Sequence, residues 1–76
     1  MNPMPLEYRI LRALRLGSAT AIELGLMLTE AWEDCWDALK ALGDARVVAC
    51  RFELPCKIVY ELTKEGRDWA DGMLSE

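Results

Sequence analysis

Apolar residues recur every three or four positions through the first half of the chain, which is the spacing of one face of a helix. The first such segment covers residues 6–16 and is followed by Gly17, a typical helix stop. The second covers residues 21–28, where Thr20 and Glu23 have the spacing of a capping box. The pattern predicts that these helices bury Leu6, Ile10, Ala13, Leu14, Leu24, Met27 and Leu28.

A third helix is predicted in "TEAWEDCWDALKAL", residues 29–42, with Thr29 as its cap and Gly43 as its end. Its apolar arc is formed by Ala31, Cys35, Ala38, Leu39 and Leu42. Trp32 and Trp36 are four residues apart, so they lie together at one edge of that arc. The polar side carries Glu30, Glu33, Asp34 and Asp37, with Lys40 as its one base.

The period then changes to the alternation expected of strands. "RVVACR" and "KIVYEL" predict a hairpin of residues 46–51 and 57–62, with Val47 close to Ile58. The intervening "FELPC" contains Pro55, which suits a loop or a sheet edge and not a central strand.

A last helix is predicted after the hairpin, with Thr63 placed to cap it. Its apolar positions are Trp69, Ala70, Met73 and Leu74, and Trp69 is expected in the core. The order of helix, helix, helix, strand, strand and helix predicts an α+β, mostly helical fold. We expect residues 1–5 to form a flexible arm and residues 6–76 to form a single domain.

Two stretches carry a family resemblance. In "ELGLMLTEAWEDCWDALKALGDARVV" the apolar framework residues are Leu24, Leu28, Cys35, Leu39 and Leu42, and the pair Val47 and Val48 enters the hairpin. In "YELTKEGRDWA" the residues that leave the hairpin are Tyr60, Leu62, Thr63, Gly66 and Arg67. The chain thus resembles the winged helix-turn-helix superfamily, particularly MarR-like and PadR-like bacterial transcription regulators. The resemblance covers about residues 6–74. It implies a winged-helix domain of three helices, a two-stranded wing and a C-terminal helix.

The chain departs from the family's pattern at the turn into the wing and on the third helix. Arg46 stands where the family usually has glycine, so the turn is expected at Gly43–Ala45. Family members read DNA with Arg, Lys, Ser, Thr, Asn or Gln on the third helix. The corresponding positions here are Trp32, Glu33, Asp34, Trp36, Asp37 and Lys40. Only Lys40 is of a type that binds DNA readily, and carboxylates oppose the counterion release that dominates DNA affinity.

The acidic third helix allows two interpretations. The chain has a net charge of −4, and residues 29–43 hold four acids and one base. The helix dipole favours acids in the first turns, so a solvated face explains most of them, although it does not explain Asp37. Alternatively the acids form a functional patch. Trp32 and Trp36 also allow two interpretations. They are either partly buried, or they form an exposed aromatic pair of the kind that makes a protein-binding hot spot.

Basic residues that would contact nucleic acid lie outside this helix. They are Arg9, Arg12 and Arg15 on the first helix, Arg46 before the wing, and Arg51 and Lys57 on the wing. Such residues contact phosphates and set the position of a protein on DNA, or they form an ordinary solvated face.

The three cysteines are expected as free thiols in a cytoplasmic protein. The opening "MNPMPLEYRI" lacks the pattern of a signal peptide, and no apolar run is long enough to span a bilayer. If the wing turn centres on Glu53, Cys50 and Cys56 face each other and form a redox-sensitive pair. The alternative is two reduced thiols. Because the chain has no histidine, we expect no metal site, no cofactor and no enzymatic activity.

These observations predict a small binding protein. The favoured hypothesis is a regulator or adaptor that engages a protein partner, basic in character, through its third helix. A phage-type inhibitor of a nucleic-acid-binding protein is one form of it. The residues assigned to that contact are Glu30, Trp32, Glu33, Asp34, Trp36, Asp37 and Lys40. The alternative is a DNA-binding transcriptional regulator that uses the wing and first-helix bases as a dimer, and a third hypothesis is a homodimer formed through the tryptophan edge.

Overall fold

The computed structural model describes residues 5–74, which form four helices and one two-stranded antiparallel sheet. The elements are α1 (Leu6–Leu14), α2 (Ala21–Leu28), α3 (Trp32–Asp44), β1 (Val48–Glu53), β2 (Lys57–Leu62) and α4 (Lys64–Leu74). The predicted order of three helices, a wing and a C-terminal helix is confirmed, and so is the mostly helical α+β class.

The wing is formed by β1 and β2. The second strand has its predicted bounds, whereas the first begins two residues later than predicted, at Val48. Val48 pairs with Leu62 at the base of the hairpin, and Ile58 lies near its tip. The predicted proximity of Val47 to Ile58 is therefore wrong. Pro55 lies in the turn, as predicted.

The two wing cysteines do not face each other. Cys50 pairs across the hairpin with Tyr60, whereas Cys56 lies in the turn, four residues before Tyr60. At about 3.3 Å per residue this separation is about 13 Å, well beyond the roughly 7 Å between Cα atoms that a disulfide spans. The hypothesis of a redox pair is wrong because the turn centres on Pro55 and not on Glu53. Both thiols are free and exposed.

The core lies between α1, α2, α3 and the base of the wing. Its fully buried large side chains are Ile10, Leu11, Leu24, Cys35 and Leu39. Leu11 extends the predicted set because α1 contacts α4 as well as α2, α3 and β2. Met27 is 56% exposed, contrary to prediction. Its helix is apolar at every position except Glu23, and only the face that carries Leu24 packs inward.

Trp69 is 46% exposed, which corrects the expectation that it lies in the core. Its neighbour Ala70 takes the fully buried position on α4. The Trp69 ring packs edge-on against Tyr8 of α1, with ring centroids 5.9 Å apart, and so covers the seam between the two helices. The predicted core positions Met73 and Leu74 lie outside the residues whose side chains the structure describes.

A left-handed residue, Thr29 (φ 57°), ends α2. The following Glu30 N–H donates to the Gly25 carbonyl at 2.9 Å, as in a Schellman motif. The prediction that Thr29 caps α3 is therefore wrong. Ala31 takes that position, and its side chain makes no capping hydrogen bond. The turn passes so close to α2 that a Cβ at Gly25 would lie 2.9 Å from the Glu30 carbonyl oxygen.

Arg46 (φ 63°) ends the connection after α3 in the same way. The helix continues through Gly43 to Asp44, beyond its predicted end. Arg46 N–H donates to the Gly43 carbonyl at 3.0 Å and Val47 N–H to the Leu42 carbonyl at 3.1 Å. The prediction of a turn at residues 43–45 is wrong, because Arg46 itself adopts the conformation that glycine usually supplies.

The last helix is anchored on the backbone that precedes the wing. Thr63 N–H donates to the Val47 carbonyl at 3.1 Å, and the Thr63 hydroxyl donates to the Arg46 carbonyl at 2.7 Å. The same hydroxyl accepts from Gly66 N–H at 2.9 Å, which confirms the predicted cap. A Cβ at Gly66 would lie 1.8 Å from the Val47 carbonyl oxygen. Only glycine allows this approach.

The burial of Cys35 gives a test of the orientation of α3. Its side chain is fully buried, and burial, followed by the nearby carboxylates of Glu30 and Asp34, raises the pKa of its thiol. Native labelling with a thiol reagent should therefore modify Cys50 and Cys56 first. We expect Cys35 to react about 100-fold more slowly, through opening of the fold. In denaturant all three should react alike, and rapid native labelling of Cys35 would mean that α3 is rotated.

Candidate binding site

An open groove runs between α3, the wing and the start of α2. It has a volume of about 480 Å³. Its apolar lining is formed mainly by Ile22, Trp32, Trp36, Ile58 and Tyr60. We call this surface the Trp groove. It lies beside the exposed side of α3, which is the side that a winged-helix regulator presents to the major groove.

The two tryptophans form the α3 wall of the Trp groove. Their spacing of four residues places them one above the other, next to the buried arc and towards the wing. Trp32 is 51% and Trp36 42% exposed. Each side chain is therefore partly buried and partly exposed. On the opposite walls Ile22 and Ile58 are 62% and 49% exposed.

Tyr60 forms the inner part of the Trp groove and is held in place by its backbone. Its N–H donates to the Ala19 carbonyl at 2.8 Å, and its carbonyl accepts from Ala19 N–H at 3.0 Å. Burial, followed by the nearby Cys50, raises the pKa of the half-buried Tyr60 phenol, and the Trp36 side chain partly opposes this rise. Tyr60 is therefore neutral at pH 7.

Charged side chains border the Trp groove. Lys40 Nζ lies 5.0 Å from the centroid of the Trp36 ring, a cation–π contact. Glu23 and Lys57 both line the groove. The hydrogen bond from Thr20 N–H to the Glu23 carboxylate at 2.8 Å, followed by the Thr20 side chain, lowers the pKa of Glu23, so this carboxyl is ionised at neutral pH. The Thr20–Glu23 capping box is as predicted.

The four acids of the predicted acidic face do not act as one cluster. Glu30 forms an ion pair with Arg9 of α1, at 2.8 Å. Glu33 lines a hollow beside Trp32, and helical spacing places Asp37 next to Glu33. The same spacing places Asp34 on the far side of the helix. Glu33 and Asp37 are therefore the two α3 carboxylates nearest the Trp groove.

Half of the bases proposed for nucleic-acid contact are engaged in ion pairs. These pairs are Arg9–Glu30 (2.8 Å), Arg15–Asp71 (2.9 Å), Arg51–Glu53 (3.0 Å) and Arg51–Glu61 (2.6 Å). The two glutamates raise the pKa of Arg51, Glu53 contributing first. Within residues 5–74 no ion pair is formed by Arg12, Lys40, Arg46 or Lys57, all of which are exposed. Of the six bases proposed for nucleic-acid contact and Lys40, these four are available to an external partner.

The described part of the chain contains no group of three acidic, cysteine or histidine side chains placed to hold a metal ion. None of its helices has the length and apolar character needed to cross a membrane.

Comparison with solved structures identifies the architecture. The adhesin competence repressor AdcR from Streptococcus pyogenes matches with a TM-score of 0.84 at 20% identity, over 91% of this chain and 53% of that one. The YusO protein from Bacillus subtilis gives a TM-score of 0.89 at 19% identity, over 95% and 53% of the two chains. The transcriptional repressor BigR from Xylella fastidiosa gives 0.82 at 18% identity, over 95% and 71%. This chain has the winged-helix fold.

These likenesses confirm the resemblance to winged helix-turn-helix regulators at the level of the fold. The chain spans about half the length of AdcR and YusO. The sequence matches no protein-family model, and comparison with curated protein sequences gives no significant match.

Sequence reasoning missed the second wall of the Trp groove. Ile22 and Ile58 each look like an ordinary core residue of its own element, yet both are about half exposed or more. The available signal was that α2 is apolar all round, which leaves surplus apolar side chains at the surface. That the wing would bring Ile58 opposite the tryptophans required the register of the hairpin.

Proposed function

We propose that this chain is a non-enzymatic winged-helix transcription regulator that binds DNA. The observation that carries the proposal is the match of its helix-turn-helix and wing to solved structures that include two named repressors, AdcR and BigR. The comparisons favour this alternative over the protein-partner hypothesis, which they do not support. They give no support to a phage-type inhibitor either.

The bases available for phosphate contacts are few. Lys40 lies on α3, Arg46 before the wing, Lys57 on β2 and Arg12 on α1. If all four contact phosphates, the slope of log affinity against log salt is about −4 at most per protomer. Since one small module buries little surface on DNA, we expect specific binding to require two protomers on adjacent half-sites.

The test is a titration of labelled duplex DNA from the region upstream of the protein's own gene, followed by anisotropy at two salt concentrations. Lys40→Ala and Lys57→Ala should each weaken binding about three- to tenfold and reduce the salt slope by about one. Lys64→Ala is the matched control, since Lys64 is exposed on α4. Absence of saturable binding at low salt, or equal losses in all three variants, would overturn the proposal.

A second candidate function is binding of a protein partner through the same face. The specific observation in its favour is the Trp groove, in which two tryptophans and two isoleucines are each 42–62% exposed. Contiguous exposed apolar side chains rimmed by polar residues are typical of protein interaction sites.

A further inference from the structure

We propose that the Trp groove docks a cationic amphipathic helix of a partner protein. The inference deepens the second candidate function and rests on it, and it does not depend on whether the chain also binds DNA. It follows from three properties of the groove: its apolar walls, the closed edge of its strand and the charge at its rim.

The walls suit aliphatic or aromatic anchors. Trp32 and Trp36 face Ile22 and Ile58 across a hollow of about 480 Å³, which is within the usual 300–1,000 Å³ of ligand pockets. An amphipathic helix presents anchors one turn apart along one face, and such anchors fit an elongated apolar groove. A phosphate backbone has no comparable apolar face to offer these rings.

The backbone pairing at the edge of β2 disfavours the other common mode of peptide docking, in which an extended peptide adds a strand to a sheet. An extended peptide would add to the open edge of β2, alongside the Trp groove. That edge is already paired at Tyr60, where Ala19 exchanges both backbone hydrogen bonds at 2.8 and 3.0 Å. The remaining stretch, Lys57–Val59, is shorter than the roughly five or six residues of a typical strand, so it offers little pairing to an added peptide. A helix needs no strand edge.

The rim charge selects a cationic occupant. Glu33 and Asp37 are exposed on α3 beside the groove, and Glu23 lines it. The nearby bases are Lys57, in the lining, and Lys40, over the Trp36 ring, so three acids stand against two bases and the border is net negative. A second copy of this chain would bring a face of the same net charge against this one, which disfavours a symmetric dimer through this face. Lysine or arginine side chains flanking the apolar anchors would instead complement the net negative border.

The experiment uses a fluorescent model peptide of about 18 residues, or five helical turns, with leucine on one face and lysine on the other. Its affinity for the full chain is measured by anisotropy. The comparison peptides are one with glutamate in place of lysine, and one with the lysine–leucine sequence scrambled. The patterned lysine peptide should bind at least tenfold more tightly than either.

Trp36→Ala should weaken binding of the lysine peptide about 30-fold, as expected for a hot spot. The matched control is Trp69→Ala, because Trp69 is 46% exposed but lies at the α1–α4 seam. It should leave the affinity within about twofold of the wild type, with circular dichroism confirming that both variants fold. Equal losses of peptide affinity in the two variants, or no loss in Trp36→Ala, would contradict the proposal that the peptide binds in the Trp groove.

Four further outcomes can be distinguished. Equal binding of the glutamate peptide would overturn the cationic preference. A concentration-dependent dimer that Trp36→Ala abolishes would make a second copy the occupant and overturn the proposal.

Trp36 carries no charge, so Trp36→Ala should retain any duplex affinity of the wild type. A parallel loss of DNA binding would assign the Trp groove to nucleic acid. Failure of the wild type to bind DNA overturns only the proposed regulator function.

Discussion

Replacing Gly66 by Ala is expected to destabilise the domain by about 3 kcal/mol or more. The new Cβ would lie 1.8 Å from the Val47 carbonyl oxygen and 2.6 Å from its carbon, which are rigid backbone atoms. Relief requires α4 to move away from the chain before the wing. That movement would break the hydrogen bond from Thr63 N–H to the Val47 carbonyl. A chain of this size has a total stability of only about 4–11 kcal/mol, so the variant will be largely unfolded on moderate warming.

The matched control is Gly72→Ala in the same helix. Among the residues that the structure describes, a Cβ at Gly72 would meet no atom from outside its own helical turn within 4 Å. Alanine there should stabilise the domain by up to about 1 kcal/mol. It has a higher helix propensity than glycine, and it makes the unfolded chain less flexible. Urea unfolding followed by tryptophan fluorescence would give both values. A Gly66→Ala variant as stable as the wild type would show that α4 does not rest on the Val47 carbonyl.

This contact illustrates how far the sequence predicts the fold. The resemblance marked Gly66 as part of the exit from the wing, and periodicity placed α2 and β2 at their observed bounds. Neither indicated why glycine is needed, because the reason is a backbone approach between segments about 20 residues apart. The predicted start and end of α3 were wrong for a related reason. Thr29 and Arg46 adopt left-handed conformations that residue preferences assign to glycine, and the Schellman hydrogen bonds compensate for them.

The candidate site was predictable only in part. Helical spacing alone placed Trp32 and Trp36 together beside the apolar arc. The sequence did not predict which charged side chains remain unpaired, because ion pairs form between elements that are distant in sequence. Arg9 reaches Glu30 across 21 positions of sequence, and Arg15 reaches Asp71 across the α1–α4 seam. Such contacts follow from tertiary packing and leave no local pattern.

Reversing charge on α3 should change the binding preference of the whole face. In the double variant Glu33→Lys with Asp37→Lys, the net charge rises from −4 to 0, since two acids become two bases. We expect duplex affinity at low salt to rise at least about tenfold and the salt slope to steepen by up to about two. The lysine–leucine peptide should bind about tenfold less tightly, because its bases would meet like charges at the rim of the Trp groove.

The matched control is Glu65→Lys with Asp68→Lys, which makes the same change of net charge on the exposed side of α4. Equal gains in DNA affinity in the two double variants would mean that overall charge and not the α3 face controls the effect. A wild type that binds one duplex sequence tightly, and loses that binding on reversal at α3, would mean that these carboxylates accept hydrogen bonds from cytosine. The acidic face would then read DNA bases directly. A gain confined to the α3 variant would instead show that Glu33 and Asp37 keep phosphates away from the Trp groove and leave it open to a cationic helix.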